Sequence, residues 1–282
     1  ITKAAEQLNI AKSAVSKRLS MLESRLGIKL INRTTRTSSI TEAGLQYYQR
    51  SKLIIDEIEE LNTQTTNTQK ALQGTLNVAI PLSFGIEHLA PCFEKFMVEH
   101  SELNINVHLS DRKVDIVEQG IDVAFRIGEL DNSSMQARKI APIRHLLCAS
   151  KEYLKTHGTP TKPEHLKDHK ILRYNGTLNS GITFIDGKKE KSVVHMAAQI
   201  TANNGDFLRT FACTGHGIIY LPSFICWKAI KSKEIVPILT DYQIPIIHLY
   251  AVYPQNRHLP QKVRLLIDHV IDCFGEHPYW DQ

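Results

Sequence analysis

Lys3 to Leu8 are strong helix formers, and Ala4, Ala5 and Leu8 fall on one side of the helix they predict. Asn9-Ile10-Ala11 interrupts that run, and Asn9 is a residue that tolerates left-handed backbone at a tight turn. Val15, Leu19, Leu22 and Leu26 then recur at i, i+4, i+7 and i+11, predicting a second helix from Lys12 to Leu26 that stops at Gly27. The same spacing sends Ser13, Ser16, Lys17 and Ser20 to its opposite face. Two short β-rich runs, Lys29–Arg33 and Thr37–Thr41, flank Thr34-Thr35-Arg36 and read as a hairpin. From Glu42 to about Leu72 the pattern is one long helix with Thr41 as its N-cap. Leu45, Tyr48, Ile55, Ile58 and Leu61 make its apolar stripe, Asp56, Glu57, Glu59 and Glu60 face outward, and the stripe fades into the polar run Asn62–Gln69.

Gly74 breaks the helical pattern, after which strands and helices alternate. Leu76–Ile80 reads as a strand, Pro81–Gly85 as a loop and His88–Glu99 as an amphipathic helix. Ile105–Leu109 is a strand, Val114–Gln119 a helix, and Val123–Ile127 a strand ended by Gly128. That order signals a parallel sheet covered by helices. A polar break at Asp131–Ser134 precedes Leu146–Ala149, read as a strand crossing into a second subdomain. This subdomain takes in Ile182–Ile185, Ser192–Met196, the helix Gly205–Cys213 and the strand Ile218–Leu221. Ile247–Tyr253 and the helix Gln261–Phe274 return to the first.

The chain has 282 residues, enough for two domains, and 42% apolar residues is ample for a real core. Its formal charge of +5 is unevenly placed. Residues 1–50 hold nine Lys and Arg against three Glu, while residues 51–282 hold 25 against 26 acidic residues. A polyanion-binding module joined to a nearly neutral body is the expectation. No apolar stretch is long enough to span a membrane. The five cysteines are odd in number, far apart and without a C-x-x-C pair, which predicts reduced thiols of a cytoplasmic protein rather than a disulfide framework or zinc site. No secretory leader is visible. Of the thirteen histidines, His145, His195 and His248 lie in or beside strands and read as satisfied structural residues. With no G-x-S-x-G, H-E-x-x-H or phosphate-binding glycine loop, the chain is read as a non-enzyme without cofactor or metal.

Helix, turn, helix and basic hairpin within 40 residues make a winged helix-turn-helix. Lys12, Ser13, Ser16, Lys17 and Ser20 are the expected groove contacts, with Arg33 and Arg36 on phosphates or in the minor groove. In the body, ligands sit beyond the carboxyl ends of parallel strands. That rule picks Ser83, Phe84, Ser110 and Arg126 from one lobe, and Thr201, Asn203 and Asn204 from the other. For each, a capping or loop role is the bland alternative; for Arg126 it is an ion pair with Asp111 or Asp122. If Arg126 faces the cleft, a small carboxylate is the expected ligand, since a guanidinium binds a carboxylate bidentately.

Residues 2–10, Ser13–Lys17, Leu22-Glu23, Leu26-Gly27, Asn32–Arg36 and Thr41–Gly44 together closely resemble the LysR-type transcriptional regulators. Asp111–Asp115, Gly120–Ala124, Arg126–Gly128, Gly217-Ile218 and Leu221-Pro222 extend the likeness through the body. The resemblance implies a fold of three parts: an N-terminal α-rich winged helix-turn-helix at 1–40, a linker and dimerisation helix at 41–73, and two α/β lobes of the type 2 periplasmic-binding-protein kind at 74–282. Lobe 1 is expected at about 74–145 and 250–282, and lobe 2 at about 146–249. It further implies a homo-oligomer, dimer or tetramer, on double-stranded DNA with a partly palindromic operator, and a small-molecule effector in the inter-lobe cleft. Dimerisation has its own motive, because two recognition helices one DNA turn apart read a near-palindrome. The sequence departs from the family in two ways. The family carries a further helix before the first one here. Ala11 also stands where Ser is common, which removes an N-cap worth about 1 kcal/mol. The rival reading is a solute-binding or metabolic protein that uses the two lobes without DNA.

Overall fold

The computed structural model describes residues 2–33, 38–65, 72–112, 115–129, 135–175, 181–255 and 259–282. Two units separate, Ile1–Lys70 and Ala71–Gln282. In the first, α1 (Thr2–Gln7) leads through Asn9, left-handed at φ 50°, into α2 (Lys12–Leu26). Leu8 lies past the last turn of α1 and is exposed rather than packed beside Ala5. Ala11 stands at the N-cap of α2 with no side-chain hydrogen bond, as its methyl group requires. Gly27 ends the helix at φ 69°, and its N–H returns to Glu23 and Ser24 carbonyls. β1 (Ile31–Arg33) and β2 (Ser38–Ile40) pair antiparallel with Ile31 opposite Ile40, a shorter hairpin than the β-rich runs suggested. α3 (Glu42–Thr65) follows; the expected continuation to Leu72 falls on 66–71, outside the described residues. Thr41 caps it, accepting the Gly44 N–H on Oγ1 at 2.9 Å.

In the second unit, lobe 1 is a five-stranded sheet. β3 (Gly74–Ile80) lies parallel to β4 (Leu103–Leu109) and β5 (Val123–Gly128). β6 (Met135–Ile143), which the sequence pattern did not reveal, runs antiparallel to the returning β14 (Ile247–Pro254), and β14 runs antiparallel to β5. The sheet is thus mixed rather than purely parallel. Pro81–Gly85 is not a loop: α4 (Leu82–Phe84) starts at once, a π turn spans Gly85–Leu89, and α5 (Ala90–Glu99) continues the same rod. Gly85 serves here as a spacer, since a Cβ would come within 2.6 Å of Ile80 Cδ1. The helix expected at Val114–Gln119 is a single turn over its described part. Asp115 Oδ1 takes the N–H groups of Val117 and Glu118 at 2.9 Å each and closes it locally.

Lobe 2 begins after one connecting residue, Arg144, with β7 (His145–Ala149) and α6 (Lys151–His157). β8 (Ile171–Tyr174) follows, and β9 (Ile182–Ile185) and β10 (Lys191–Val194) form a separate hairpin. β11 (Ala198–Ala202), α7 (Gly205–Cys213), β12 (Ile218–Pro222), α8 (Ser223–Lys231) and β13 (Val236–Ile238) complete it. Its sheet order is β11-β8-β12-β7-β13, with the first three strands parallel and β7 antiparallel to both β12 and β13. After β14 the chain closes on lobe 1 with α9 (Gln261–Phe274).

One apolar core runs through both lobes, from Leu76 and Val123 on one side to Leu172 and Leu208 on the other. Aromatic rings fill the junction: Phe84 meets Phe224 edge-on at 4.9 Å, Phe274 at 5.4 Å and Trp280 at 5.5 Å. Beside them His88 is buried, its Nε2–H donating to the Phe224 carbonyl and its Nδ1 accepting from Tyr279 hydroxyl at 2.6 Å. The expectation that all cysteines are reduced is overturned at one pair. Cys92 on α5 and Cys273 on α9 are joined, 181 residues apart in sequence and 6.3 Å apart at Cα. The spacing argument failed because that pairing is made by the docking of two helices, which a count along the chain does not register.

Candidate functional site

On α2 the positions opposite the apolar stripe reach solvent. Lys12, Ser13, Lys17 and Ser20 are exposed and Ser16 is half-buried, while Val15, Leu19, Leu22 and Leu26 are half-buried behind them. None of the five is packed inside the unit. The face is narrow, polar and cationic, with hydroxyls and ammonium groups that can meet base edges and phosphates. Arg33 is the last residue of β1, but its side chain and the whole of Arg36 lie outside the described residues.

A residue that periodicity did not single out holds this face in place. Glu23 is 4% exposed, and its carboxylate accepts from the Lys29 ammonium at 2.9 Å, the Leu30 N–H at 3.0 Å and the Ile31 N–H at 3.2 Å. The Lys29 hydrogen bond foremost, then those of Ile31 and Leu30, draw its pKa down to about 2. One carboxylate thereby ties the end of α2 to the first wing strand. Thr41 completes the lock from the other side: its N–H donates to the Leu30 carbonyl at 3.0 Å, and its hydroxyl reaches the Lys29 and Leu30 carbonyls at 2.7 and 3.1 Å. The signal in the sequence was an acid one turn after Leu19, on the side facing the hairpin.

In the second unit a cavity of about 690 Å³ opens between the lobes, well within the size of small-molecule sites. Ser83, Phe84, Ser110 and Arg126 all line it. Ser83 Oγ–H donates to the Asp206 carboxylate of α7, so this hydroxyl spans the cleft from lobe 1 to lobe 2. Phe84 is fully buried and contributes a wall rather than a reachable contact. Ser110 Oγ accepts the Arg112 N–H at 3.2 Å, a local turn bond. Near Arg126, Asp111 accepts from the Leu82 N–H and bonds Tyr174, and Asp122 accepts from the Asn77 N–H. The Arg126 guanidinium is half-buried, and the loss of water lowers its pKa.

Three expected cleft residues lie outside the lining. Thr201 is exposed on β11, the edge strand of its sheet, and Asn203 is exposed just beyond that strand. Asn204 is the N-cap of α7, its Oδ1 taking the Phe207 N–H at 2.9 Å and its Nδ2 donating to Ser83 Oγ at 3.4 Å. Gly205 takes their place against the cavity.

Other lining residues were missed. His145, the first residue of β7, borders the cavity, and burial pulls its pKa down to about 4. Its buried Nδ1 finds no hydrogen-bond partner among the described residues, so it is not the satisfied structural histidine expected. Its ring lies 4.9 Å from that of Tyr220, whose hydroxyl pKa burial raises to about 12. Tyr174 is raised likewise, by burial first and by Asp111 second. Only the folding of β7, β8 and β12 side by side assembles these three groups.

A winged helix-turn-helix followed by a two-lobed α/β body of this topology defines a DNA-binding regulator. The sequence profile of the bacterial regulatory helix-turn-helix protein, lysR family, matches residues 1–45, and that of the LysR substrate binding domain matches residues 69–274. An uncharacterized HTH-type transcriptional regulator of Haemophilus influenzae is 36% identical over 263 residues, covering 93% of this chain and 91% of its own. The E. coli transcriptional activator AaeR is 30% identical over 98% of this chain and 89% of its own. The solved structure of CrgA, a LysR-type regulator from Neisseria meningitidis, superimposes with a TM-score of 0.64 at 32% identity, over 95% of this chain and 92% of that one. The chain belongs to the LysR family of transcriptional regulators. It is a DNA-binding protein and not an enzyme, which sets aside the solute-binding and metabolic alternative. No helix among the described residues is long and apolar enough to cross a membrane.

Proposed function

We propose that this regulator acts as a homo-oligomer, dimer or tetramer, on a partly palindromic operator, and that its inter-lobe cleft receives a small carboxylate as effector. The observation carrying the effector reading is Arg126, a half-buried guanidinium on the cavity wall, a group whose planar fork suits a carboxylate bidentately. Around it the walls are largely apolar, with Phe84, Leu221, Phe224 and Ile225 present, and His145 and Tyr220 offer uncharged polar groups. A carboxylate attached to an apolar body suits that mixture. On the DNA side, Lys12, Ser13, Ser16, Lys17 and Ser20 contact the groove and Arg33 and Arg36 the backbone. Oligomerisation rests on α3, where Tyr48, Ile54, Ile55, Ile58 and Leu61 are each about half exposed or more, an apolar stripe suited to a second copy. Signalling requires the effector to favour one arrangement over another, because equal affinity for both shifts nothing.

One experiment tests both halves: anisotropy titrations of promoter DNA from beside the protein's own gene, at several salt concentrations, with and without each of a panel of small carboxylates. Lys17→Ala should weaken binding and flatten the slope of log affinity against log salt by about one. Arg126→Ala should keep ligand-free DNA binding and lose the ligand-dependent change. Unaltered affinity in Ser16→Ala and Lys17→Ala removes the assigned DNA face. A protein blind to every carboxylate, or an Arg126→Ala variant that still responds, removes the assigned effector class.

A further inference from the structure

Away from the cleft, α5 and α9 bring together three metal-binding side chains that neither DNA binding nor effector binding uses. The sulfurs of Cys92 and Cys273 and a ring nitrogen of His269 all lie within 4.8 Å of one another. His269 and Cys273 stand at i and i+4 on α9 and so share one face of that helix. Cys92 reaches them from α5. Cys92 is buried, while His269 and Cys273 are half-buried, so the trio has a closed floor and a rim open to solvent. His269 is held over the pair twice, by an Nε2–H bond to the Cys92 carbonyl at 2.9 Å and by Phe96, 5.3 Å from its ring. In this structure the two sulfurs are bonded to each other.

We propose that Cys92, Cys273 and His269 form a binding site for a thiophilic cation of the zinc kind, open when the two thiols are reduced and closed when they are joined. Two thiolates and an imidazole are a donor set that zinc favours, with a fourth position left to water on the exposed side. The steps balance. A small dithiol reductant gives two electrons and two protons to the Cys92–Cys273 bond and becomes a disulfide itself. The cation then displaces the two thiol protons and binds both sulfurs. A metal bridge takes over the link between α5 and α9 that the disulfide makes under oxidation, so these helices stay fastened in either redox state.

The test uses the whole protein, reduced with a dithiol under anaerobic conditions, freed of reductant and metal, and titrated with Zn²⁺ against a chromophoric chelator. One tight equivalent per chain is expected in the reduced protein and none after oxidation. His269→Ala and Cys273→Ser should each weaken binding by more than the roughly 10–100-fold that loss of an outer-shell partner costs, whereas Cys213→Ser should leave it unchanged. His269→Ala keeps both thiols and replaces a half-buried side chain, so it reads the site even if the cysteine variant folds poorly. Reduced protein that takes up no Zn²⁺, equal uptake by the oxidised form, or undiminished affinity in His269→Ala would each overturn the proposal.

Discussion

Replacing Gly44 by Ala should break the DNA-binding unit, although helix propensity alone says the reverse. Gly44 sits in the first turn of α3, where Ala is intrinsically better by about 1 kcal/mol. Yet a Cβ at this position would lie 2.0 Å from the Leu30 carbonyl oxygen, 2.8 Å from its carbon and 3.0 Å from Ile40 Cγ1. An ordinary C···O contact needs about 3.3 Å, so the helix start must retreat by about 1.3 Å. Backbone cannot yield as a side-chain tip can. Such overpacking costs about 1–3 kcal/mol. The retreat also pulls Thr41 from the Lys29 and Leu30 carbonyls it bonds at 2.7–3.1 Å, about two hydrogen bonds at about 1 kcal/mol each. Against the propensity gain, the net loss is about 2–4 kcal/mol, a large share of a small unit's stability. For a unit this small that is a fall in Tm on the order of 10–30 °C. Scanning calorimetry of the whole chain should show the transition of the N-terminal unit drop while that of residues 71–282 holds, with DNA affinity falling in step. A Gly44→Ala protein whose N-terminal unit melts at or above the wild-type temperature would refute the close approach of α3 to Leu30.

Acid should loosen the same unit through Glu23. Its folded pKa of about 2 lies below the ordinary 4.5, so its contribution is complete above about pH 4.5 and is lost as pH falls toward 2. Hydrogen exchange at the Leu30 and Ile31 amides should accelerate across that window relative to their neutral-pH protection; Glu23→Gln should be loosened already at neutral pH and show a flatter acid limb, and an unchanged limb would sink the assignment. Asn204→Ala removes the N-cap of α7 and should cost about 1 kcal/mol in urea unfolding; an unshifted midpoint would show that the cap contributes nothing there.

Elements whose apolar residues repeat strongly were legible with correct bounds: α2, α7 and α9 follow directly from their stripes. β6 was not, because Arg138, Lys139 and Pro142 dilute its apolar positions and only pairing along β14 makes it a strand. Pro81 and Gly85 read as loop residues, yet the proline precedes a helix and the glycine fits a helix against Ile80. For the candidate sites the division is similar. The α2 face was readable because one helix presents all of it. Ser83 with Asp206, His145 with Tyr220, and Cys92 with Cys273 are meetings across 123, 75 and 181 positions of chain, which local pattern does not encode. Glu23 was visible as an acid but not as a buried one, since its partners are backbone N–H groups of the hairpin.

The apolar interior that passes unbroken from one lobe to the other has a mechanical consequence. Jaws that swing wide must part along a wetted seam, and here Phe84, Phe224, Phe274 and Trp280 interlock where that seam would run. Opening would strip contacts that close-packed interiors hold tightly. Wide opening of the lobes is therefore costlier than a slight re-seating of the rings and strands around His88 and Ser83, whose hydrogen bonds sit at the same junction.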